Sequence, residues 1–245
     1  MAGGPGASPY RGRITAGLFA HLFKAVFKQH HREMRPLLAP LIPQDAVVLD
    51  VGAHAGQYAK LFARLARRGR VYAIEPQSYA RRILRAAIRI NRLRNVEILP
   101  LALGAKATTA TLTIPVKASG SYGFGLAHLG PHTRAGPAET EIVDVTTLDA
   151  LAAKLGLTRL DFVKADIEGW EQAMIEGGQA TLARFKPALL IEFNEQHLNR
   201  AGGSVAALWR MLSDLGYRAT AGEPGGAELD RPREGDILFL PPKKT

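Results

Sequence analysis

The sequence predicts an α/β fold: a doubly wound, mostly parallel sheet with helices on both faces. Strand-like and helix-like segments alternate in the order β-α-β-α-β over residues 46–104, and the alternation resumes near residue 160. The predicted strands are continuous apolar runs, such as "AVVLDV" at residues 46–51, which is typical of strands buried on both faces. Several of these runs end on an acidic residue.

The elements follow in chain order. After a flexible start, residues 14–34 predict an amphipathic helix, so we divide the chain into residues 1–43 (start plus helix) and a domain over residues 44–245. Strands are predicted at residues 46–51, 70–76 and 96–104, with helices at residues 57–68 and 78–94 between them. An insert at about residues 106–147, with alternating strands around a Gly-, Ser- and His-rich loop, interrupts the winding. Further strands are expected near residues 160–165, 187–198 and 236–242, with helices after the first two.

Composition restricts the chemistry. The 245 residues include no cysteine, which excludes disulfides, thiolate nucleophiles and Cys-ligated metals. We expect a cytoplasmic protein, with the inner face of the membrane as an alternative location. The net charge of +10 permits an anionic partner, although solubility alone explains such a charge equally well.

The strand ends carry the chemistry. Ligands of open α/β sheets bind beyond the carboxyl ends of the strands, at the point where strand order reverses. Four of the five predicted strand ends carry an acid: Asp50, Glu75, Asp166 with Glu168 following it, and Glu192 with Asn194. The fifth end, at residues 101–104, carries none.

The first strand end suggests the ligand class. Asp50 is followed by Gly52 and Gly56, a tight turn into a helix, but the carboxylate disfavours a pyrophosphate at this position. Glu75 lies 23 residues beyond Gly52, at the spacing of an acid that holds ribose hydroxyls. A ligand with a ribose, an amine and a cationic centre matches S-adenosylmethionine, whose sulfonium suits an acidic site.

Four motifs, "LDVGAHAGQYA", "YAIEP", "LPLALG" and "VDVTTLDAL…LDFVKADIEGWE", resemble the FkbM-type S-adenosylmethionine-dependent methyltransferases over about residues 47–198. The resemblance implies a Rossmann-like, seven-stranded class I methyltransferase sheet whose last strand, near "ILFLP", is antiparallel. It also implies O-methylation of a small hydroxylated acceptor such as a sugar or glycolipid. The cofactor residues that it implies, by motif position, are Asp50, Gly52, His54, Gly56, Tyr58, Glu75, Pro76, Ala102, Leu103 and Asp166. His54 stands where the family commonly has Asn.

The catalytic candidates are Asp166, Glu168, Glu192 and His197, any of which could be the general base that methyl transfer to a hydroxyl needs. Asp166, Glu192 and Asn194 are an alternative Mg²⁺ site, although no metal ligand is assigned. Lys164, in phase with Asp166, is expected to pair with a strand-end acid.

Other functions stay open at this stage. An RNA or protein methyltransferase and a non-catalytic S-adenosylmethionine-binding protein are the alternatives. Nucleic acid is disfavoured because no aromatic platform for bases is evident, and the predicted Arg face of residues 81–92 is read as solvated.

Two segments are assigned roles beyond cofactor binding. In the insert, Gly120, Gly123, Gly125 and Gly130 are expected to permit closure, and Ser121, Tyr122, His128 and His132 to contact the acceptor. The helix at residues 14–34 carries an apolar stripe (Leu18, Leu22, Ala25, Val26), Phe19, Phe23 and Phe27 beside it, and a basic face (Lys24, Lys28, Arg32). It is expected to pack on the sheet or on a second subunit in a homodimer, with an anionic membrane surface as the alternative.

Overall fold

A computed structural model of the chain describes residues 16–116, 127–129 and 137–242. The predicted insert loop residues Gly120, Ser121, Tyr122, Gly123, Gly125, Gly130 and His132 lie outside the described residues. The helices are α1 (Ala16–Phe27), α2 (Arg35–Leu38), α3 (Gln57–Leu65), α4 (Ser78–Ile90), α5 (Leu148–Lys154), α6 (Glu171–Glu176), α7 (Gln179–Phe185), α8 (Glu195–Arg200) and α9 (Val205–Asp214). The strands are β1 (Val47–Val51), β2 (Arg70–Ile74), β3 (Val96–Leu99), β4 (Ala102–Leu103), β5 (Thr108–Pro115), β6 (His128–Leu129), β7 (Ala138–Thr146), β8 (Phe162–Ala165), β9 (Ala188–Phe193), β10 (Arg218–Ala221), β11 (Glu228–Leu229) and β12 (Gly235–Leu240).

The main sheet confirms the doubly wound prediction. Its strand order is β11-β10-β12-β9-β8-β1-β2-β3, and the pairs among β9, β8, β1, β2 and β3 are all parallel. The last strand, β12, runs antiparallel to both of its neighbours, as the family resemblance implies. The described sheet has eight strands rather than seven because the short β11 adds to β10 at one edge.

The core lies on both faces of this sheet. Neighbouring residues of a strand point to opposite faces, so Val48 packs with Phe62 of α3 while Leu49 packs with Met174 of α6. Helices α2, α3 and α4 therefore cover one face and the helices after β7 the other, while α1 packs on α4 rather than on the main sheet. This two-sided burial is why the central strands read as continuous apolar runs.

The predicted insert forms a second sheet with the order β4-β7-β5-β6. The single strand predicted at residues 96–104 is wrong: Leu99 ends β3, and Ala102 begins β4 in the other sheet. Pro100, which has no N–H to donate, lies at the break. The one helix predicted after β8 is also divided, into α6 and α7. A Cβ on Gly177, between them, would lie 2.1 Å from the Gly104 carbonyl oxygen.

The N-terminal helix ends earlier than predicted. Its α-helical part stops at Phe27, His31 adopts a left-handed φ of 61°, and a 3₁₀ turn at Arg32–Met34 leads into α2. Ala25 and Val26 are buried against α4. No helix among the described residues combines the length and the apolar character that crossing a bilayer requires.

Two other element boundaries differ from the predictions. The helix predicted at residues 57–68 ends at Leu65. The strand predicted at residues 187–198 is wrong in its second half, because β9 ends at Phe193 and the Asn194 side chain caps α8.

The predicted Arg face of residues 81–92 is wrong at both ends, because neither Arg81 nor Arg92 lies on the solvated face of α4. Arg92 lies beyond the helix with a φ of 55°, and Arg81 turns back to donate to the carbonyl oxygens of Glu75 and Pro76.

Candidate active site

A cavity opens at the carboxyl end of the main sheet, where β1 and β8 lie side by side and strand order reverses. This is where the sequence predicts a ligand site. Loops after β1, β2 and β8 form its floor, and the second sheet forms a wall. Its lining residues are Val51, Gly52, His54, Ile74, Glu75, Pro76, Gln77, Ala102, Leu103, Leu112, Ala127, His128, Leu129, Asp166, Ile167, Glu168 and Trp170.

Gly52 lies where the loop after β1 crosses the loop after β8. Its φ is +80°, and a Cβ would lie 2.0 Å from the Asp166 carbonyl oxygen, so a side chain has neither the conformation nor the space. His54 follows in the left-handed region with a φ of 49°, which Asn and His tolerate better than most residues. The backbone N–H of His54 donates to Glu75 Oε2 at 2.8 Å. His54, which stands where the family commonly has Asn, therefore keeps the turn after β1.

Glu75 is the acid of the second strand end. Its carboxylate is buried and also accepts a hydrogen bond from the Gln77 N–H at 2.8 Å. Burial raises the pKa of Glu75 to about 7, against the opposing effect of the two backbone donors. Two backbone amides thus hold the carboxylate at the wall of the cavity.

Asp50 lies behind the cavity, within the sheet. It is fully buried and pairs in register with Lys164 of β8. Burial raises the pKa of Asp50 to about 6, while Lys164 opposes that shift. Asp50 does not line the cavity.

Lys164 joins the strand-end acids electrostatically. Its Nζ lies 3.0 Å from Asp166 Oδ2 and 4.9 Å from the centroid of the Tyr58 ring. Burial alone lowers the pKa of Lys164, but the carboxylates of Asp166 and Asp50 outweigh it and raise the pKa above its ordinary value. The predicted pairing of Lys164 with a strand-end acid is confirmed.

Asp166 and Glu168 reach the cavity from the loop after β8. Lys164 lowers the pKa of Asp166, so this carboxylate stays ionised. Glu168 has a left-handed φ of 58°, which is unusual for a residue with a side chain. Its Oε2 lies 3.2 Å from His197 Nδ1 and 3.7 Å from Arg200 Nη2, and Arg200 also donates to its carbonyl oxygen at 2.8 Å.

His197 and Glu192 lie behind Glu168, outside the cavity wall. Glu192 Oε2 is 3.8 Å from His197 Nδ1. Burial raises the pKa of Glu192 to about 8, and the carboxylates of Asp166, Glu171 and Glu168 add to the shift. The structure therefore brings all four catalytic candidates together, with only Asp166 and Glu168 facing the cavity.

The Mg²⁺ alternative finds no support. Asn194 Oδ1 accepts the His197 N–H at 3.0 Å and caps α8. Over residues 16–116, 127–129 and 137–242, no three His, Cys, Asp or Glu side chains are grouped so that they could hold a metal ion.

The other end of the cavity is apolar. Ala102 and Leu103 are buried there, and the second sheet adds Leu112 and Leu129. His128, predicted to contact an acceptor, is buried in this wall, 3% exposed. The insert therefore contributes to the cavity itself.

Sequence reasoning missed two polar cavity residues. Gln77 Nε2 and Trp170 Nε1 are buried donors without a hydrogen-bond partner among the described residues. Trp170 stood within the quoted motif "DIEGWE", and Gln77 follows Pro76 directly, so proximity to a motif was the only signal. Both residues line the cavity, although these two nitrogens are themselves buried beneath its surface.

Two predicted cofactor residues have other contacts. Gly56, with a φ of +83°, is the N-cap residue of α3, and a Cβ there would meet Leu84 at 2.4 Å. The Tyr58 ring stacks on His31 at 4.4 Å between centroids. Neither lines the cavity, so a direct contact with a cofactor stays a prediction for both.

Comparison with known proteins points to one family. The family description "Methyltransferase FkbM domain" matches residues 50–219. AMB antimetabolite synthetase AmbE of Pseudomonas aeruginosa is 27% identical over 210 residues, a match that covers 74% of this chain and 10% of that protein. The crystal structure of methyltransferase FkbM from Methylobacillus flagellatus is 18% identical with a TM-score of 0.52 and shares the fold. That match covers 81% of this chain and 44% of the solved one, so this chain spans less than half the length of either protein.

Proposed function

Because the chain belongs to the FkbM methyltransferase family, we propose that it moves a methyl group from S-adenosylmethionine to a hydroxyl oxygen of a small molecule, sugar or glycolipid. The observation that carries this proposal is the meeting of Glu75, Asp166 and Glu168 on one cavity at the strand-order reversal.

The residues of the cavity fit the cofactor. Glu75, held by two backbone amides, would accept hydrogen bonds from the ribose hydroxyls. The apolar end, with Leu103 and Leu112, suits the adenine ring. When bound, S-adenosylmethionine supplies a methyl group on a positively charged sulfur.

Asp166 is suited to the charge of that cofactor. Its carboxylate remains ionised beside Lys164 and lines the cavity. An anionic group at a partly enclosed wall favours a cation nearby. Its lowered pKa also makes Asp166 a weak base, which leaves proton transfer to another group.

Glu168 is our candidate for the general base. The acceptor hydroxyl loses its proton as the oxygen takes the methyl group, and Glu168 faces the cavity where that proton would be received. His197 and Arg200 fix the carboxylate from behind, so we regard both as positioning residues. Glu192, whose pKa is about 8, is largely protonated near neutral pH and is a poorer base there.

A methyl-transfer assay tests this function. Wild type, Glu168→Gln and Glu176→Gln, an exposed control on α6, are incubated with methyl-labelled S-adenosylmethionine and fractionated cell extract. We expect label in the small-molecule, glycan or lipid fraction. Loss of a general base should lower the rate in Glu168→Gln by roughly 10²–10⁴-fold, with the control unchanged.

The fractions also separate the alternatives. Label found only in RNA or protein would overturn the proposed acceptor class. Bound S-adenosylmethionine with no transfer to any fraction would indicate a non-catalytic binding protein. Full activity of Glu168→Gln would remove Glu168 from the mechanism while leaving the methyltransferase assignment intact.

A further inference from the structure

Positive charge is concentrated on one side of the molecule. Residues 16–32, 51–74 and 76–95 contain 14 Lys and Arg and no Asp or Glu. These segments include α1, α3 and α4 entirely. The rest of the chain carries more acidic than basic residues, so the net charge of +10 is not evenly distributed.

The three helices form one continuous layer. His21 Nδ1 lies 3.2 Å from the Tyr79 hydroxyl, and Asn91 Nδ2 donates to the Val26 carbonyl oxygen at 3.2 Å, which joins α1 to α4. Arg64 of α3 donates to Asn91 Oδ1 at 3.1 Å. We call the outer surface of this layer the basic face. Its exposed charges include Lys24, Lys28, Arg64, Arg82, Arg85 and Arg89.

Large apolar side chains are exposed on the same face. Phe23 is 57% exposed and Phe27 71%, with ring centroids 5.1 Å apart on consecutive turns of α1. Ile90, at the end of α4, is 54% exposed. Among the described residues, the only other large hydrophobic side chain exposed to this degree is Ile142, on the second sheet.

This combination fits an anionic membrane better than nucleic acid. An interfacial helix places aromatic side chains in the lipid boundary and basic side chains against the head groups. Nucleic-acid bases need flat, accessible aromatic faces, whereas the two Phe rings pack against each other and Ile90 offers no ring. The three segments that supply the face contain no Asp or Glu, and the Glu141 carboxylate beside it is held by two hydrogen bonds from Ser78 at the start of α4.

We propose that the basic face docks on anionic lipid bilayers, with Phe23 and Phe27 in the interface and the surrounding Lys and Arg against the head groups. The cavity-lining loops lead directly into α3 and α4, so the docked face adjoins the cavity. This inference does not depend on the identity of the methyl acceptor.

Vesicle flotation tests the apolar part. The full chain is mixed with vesicles of phosphatidylcholine alone or of phosphatidylcholine with phosphatidylglycerol. We expect binding only to the anionic vesicles, falling as salt rises. Phe23→Ser combined with Phe27→Ser should lower affinity by about tenfold or more, while Ile142→Ser, the exposed control off the face, should leave it unchanged. Equal losses in the double variant and the control would overturn the proposal.

A second set of variants tests the charge. Arg82→Gln, Arg85→Gln and Arg89→Gln together should weaken anionic-vesicle binding by roughly a hundredfold, because each basic residue near the surface contributes. The matched control removes Lys154, Arg184 and Arg210, exposed on helices of the opposite face, by Gln substitution and should change little. Circular dichroism establishes that all variants are folded.

Two other outcomes would contradict docking on lipid. Salt-sensitive binding to RNA homopolymers without vesicle binding would assign the face to nucleic acid. A dimer in sedimentation that the Phe23 and Phe27 substitutions dissociate, again without vesicle binding, would assign it to self-association.

Discussion

Gly52 shows how one residue joins two strand-end loops. Its positive φ and its approach to the Asp166 carbonyl oxygen are separate constraints. Gly225 shares the first, with a φ of +76°, but a Cβ there would meet nothing within 4 Å. We therefore expect Gly225→Ala to cost about 1–2 kcal/mol of unfolding free energy from backbone strain alone. Gly52→Ala should cost at least about 2 kcal/mol more, measured by urea denaturation. Equal costs would show that the two loops separate readily.

The buried carboxylate of Glu171 should make the free energy of unfolding depend on pH. Its buried carboxylate accepts the Ile167 N–H at 2.7 Å, and burial raises its pKa from the ordinary 4.5 to about 7. The folded state then binds a proton that the unfolded state has released. This contribution to stability is full below pH 4.5 and is lost as pH rises to about 7.

Glu171→Gln should therefore remove part of that dependence. Unfolding free energy, measured between pH 4.5 and 7.5, should fall less steeply in the variant than in wild type, by about 3 kcal/mol over the interval at most. Glu176→Gln, exposed on the same helix, is the control and should follow wild type. Identical slopes in all three proteins would contradict the raised pKa.

The sequence predicts a cavity residue where the residue type and its distance from a neighbouring motif together indicate its role. Glu75 and Asp166 reach the cavity as the sequence predicts. Gln77 and Trp170 could not be predicted as cavity-lining residues, because their position at the cavity depends on where the second sheet packs. Asp50 occurs in the expected motif but faces Lys164 within the sheet, a consequence of strand register.

At the scale of elements, apolar runs located the strands but not their partners. The run at residues 96–104 reads as one strand, yet β3 and β4 belong to different sheets. The number of short helices after β8 likewise depends on the contact of Gly177 with Gly104, which lies far away in sequence. Local patterns carry no information on such pairings.

Helix α1 is attached to the domain by a buried lysine of α3. Lys60 is 1% exposed, and its Nζ donates to the carbonyl oxygens of Ala25 at 2.5 Å and Lys28 at 2.7 Å. A cation at these last carbonyls also interacts favourably with the helix dipole. The contact therefore fixes the end of α1.

We expect Lys60→Met to release this end while keeping most of the packing. Loss of the charged donor should cost about 1.5–3 kcal/mol. Amide hydrogen exchange should accelerate in α1 and remain slow in β1 and β8. Lys154→Met, an exposed substitution on α5, is the control. Unchanged exchange in α1 would show that its apolar contacts alone hold it.

At the scale of the whole molecule, strand order places the acidic cavity and the basic face in adjoining regions. The reversal of strand order between β1 and β8 brings the strand-end acids together at the carboxyl edge of the sheet. The basic face is the outer surface of helices α1, α3 and α4 on one side of that sheet. The alternation of strands and helices predicted this architecture, because parallel strands need crossover helices. The second sheet's role as a cavity wall was not predictable from the same pattern.

Isothermal titration with S-adenosylhomocysteine tests the central claim, that this edge of the sheet is a cofactor site built around Glu75. Wild type should bind. Glu75→Gln should weaken binding by about 1.5–3 kcal/mol, the value of hydrogen bonds to a charged group. Glu97→Gln, exposed on the neighbouring β3, should bind as wild type does. No binding by wild type, or equal affinity in wild type and Glu75→Gln, would contradict the account.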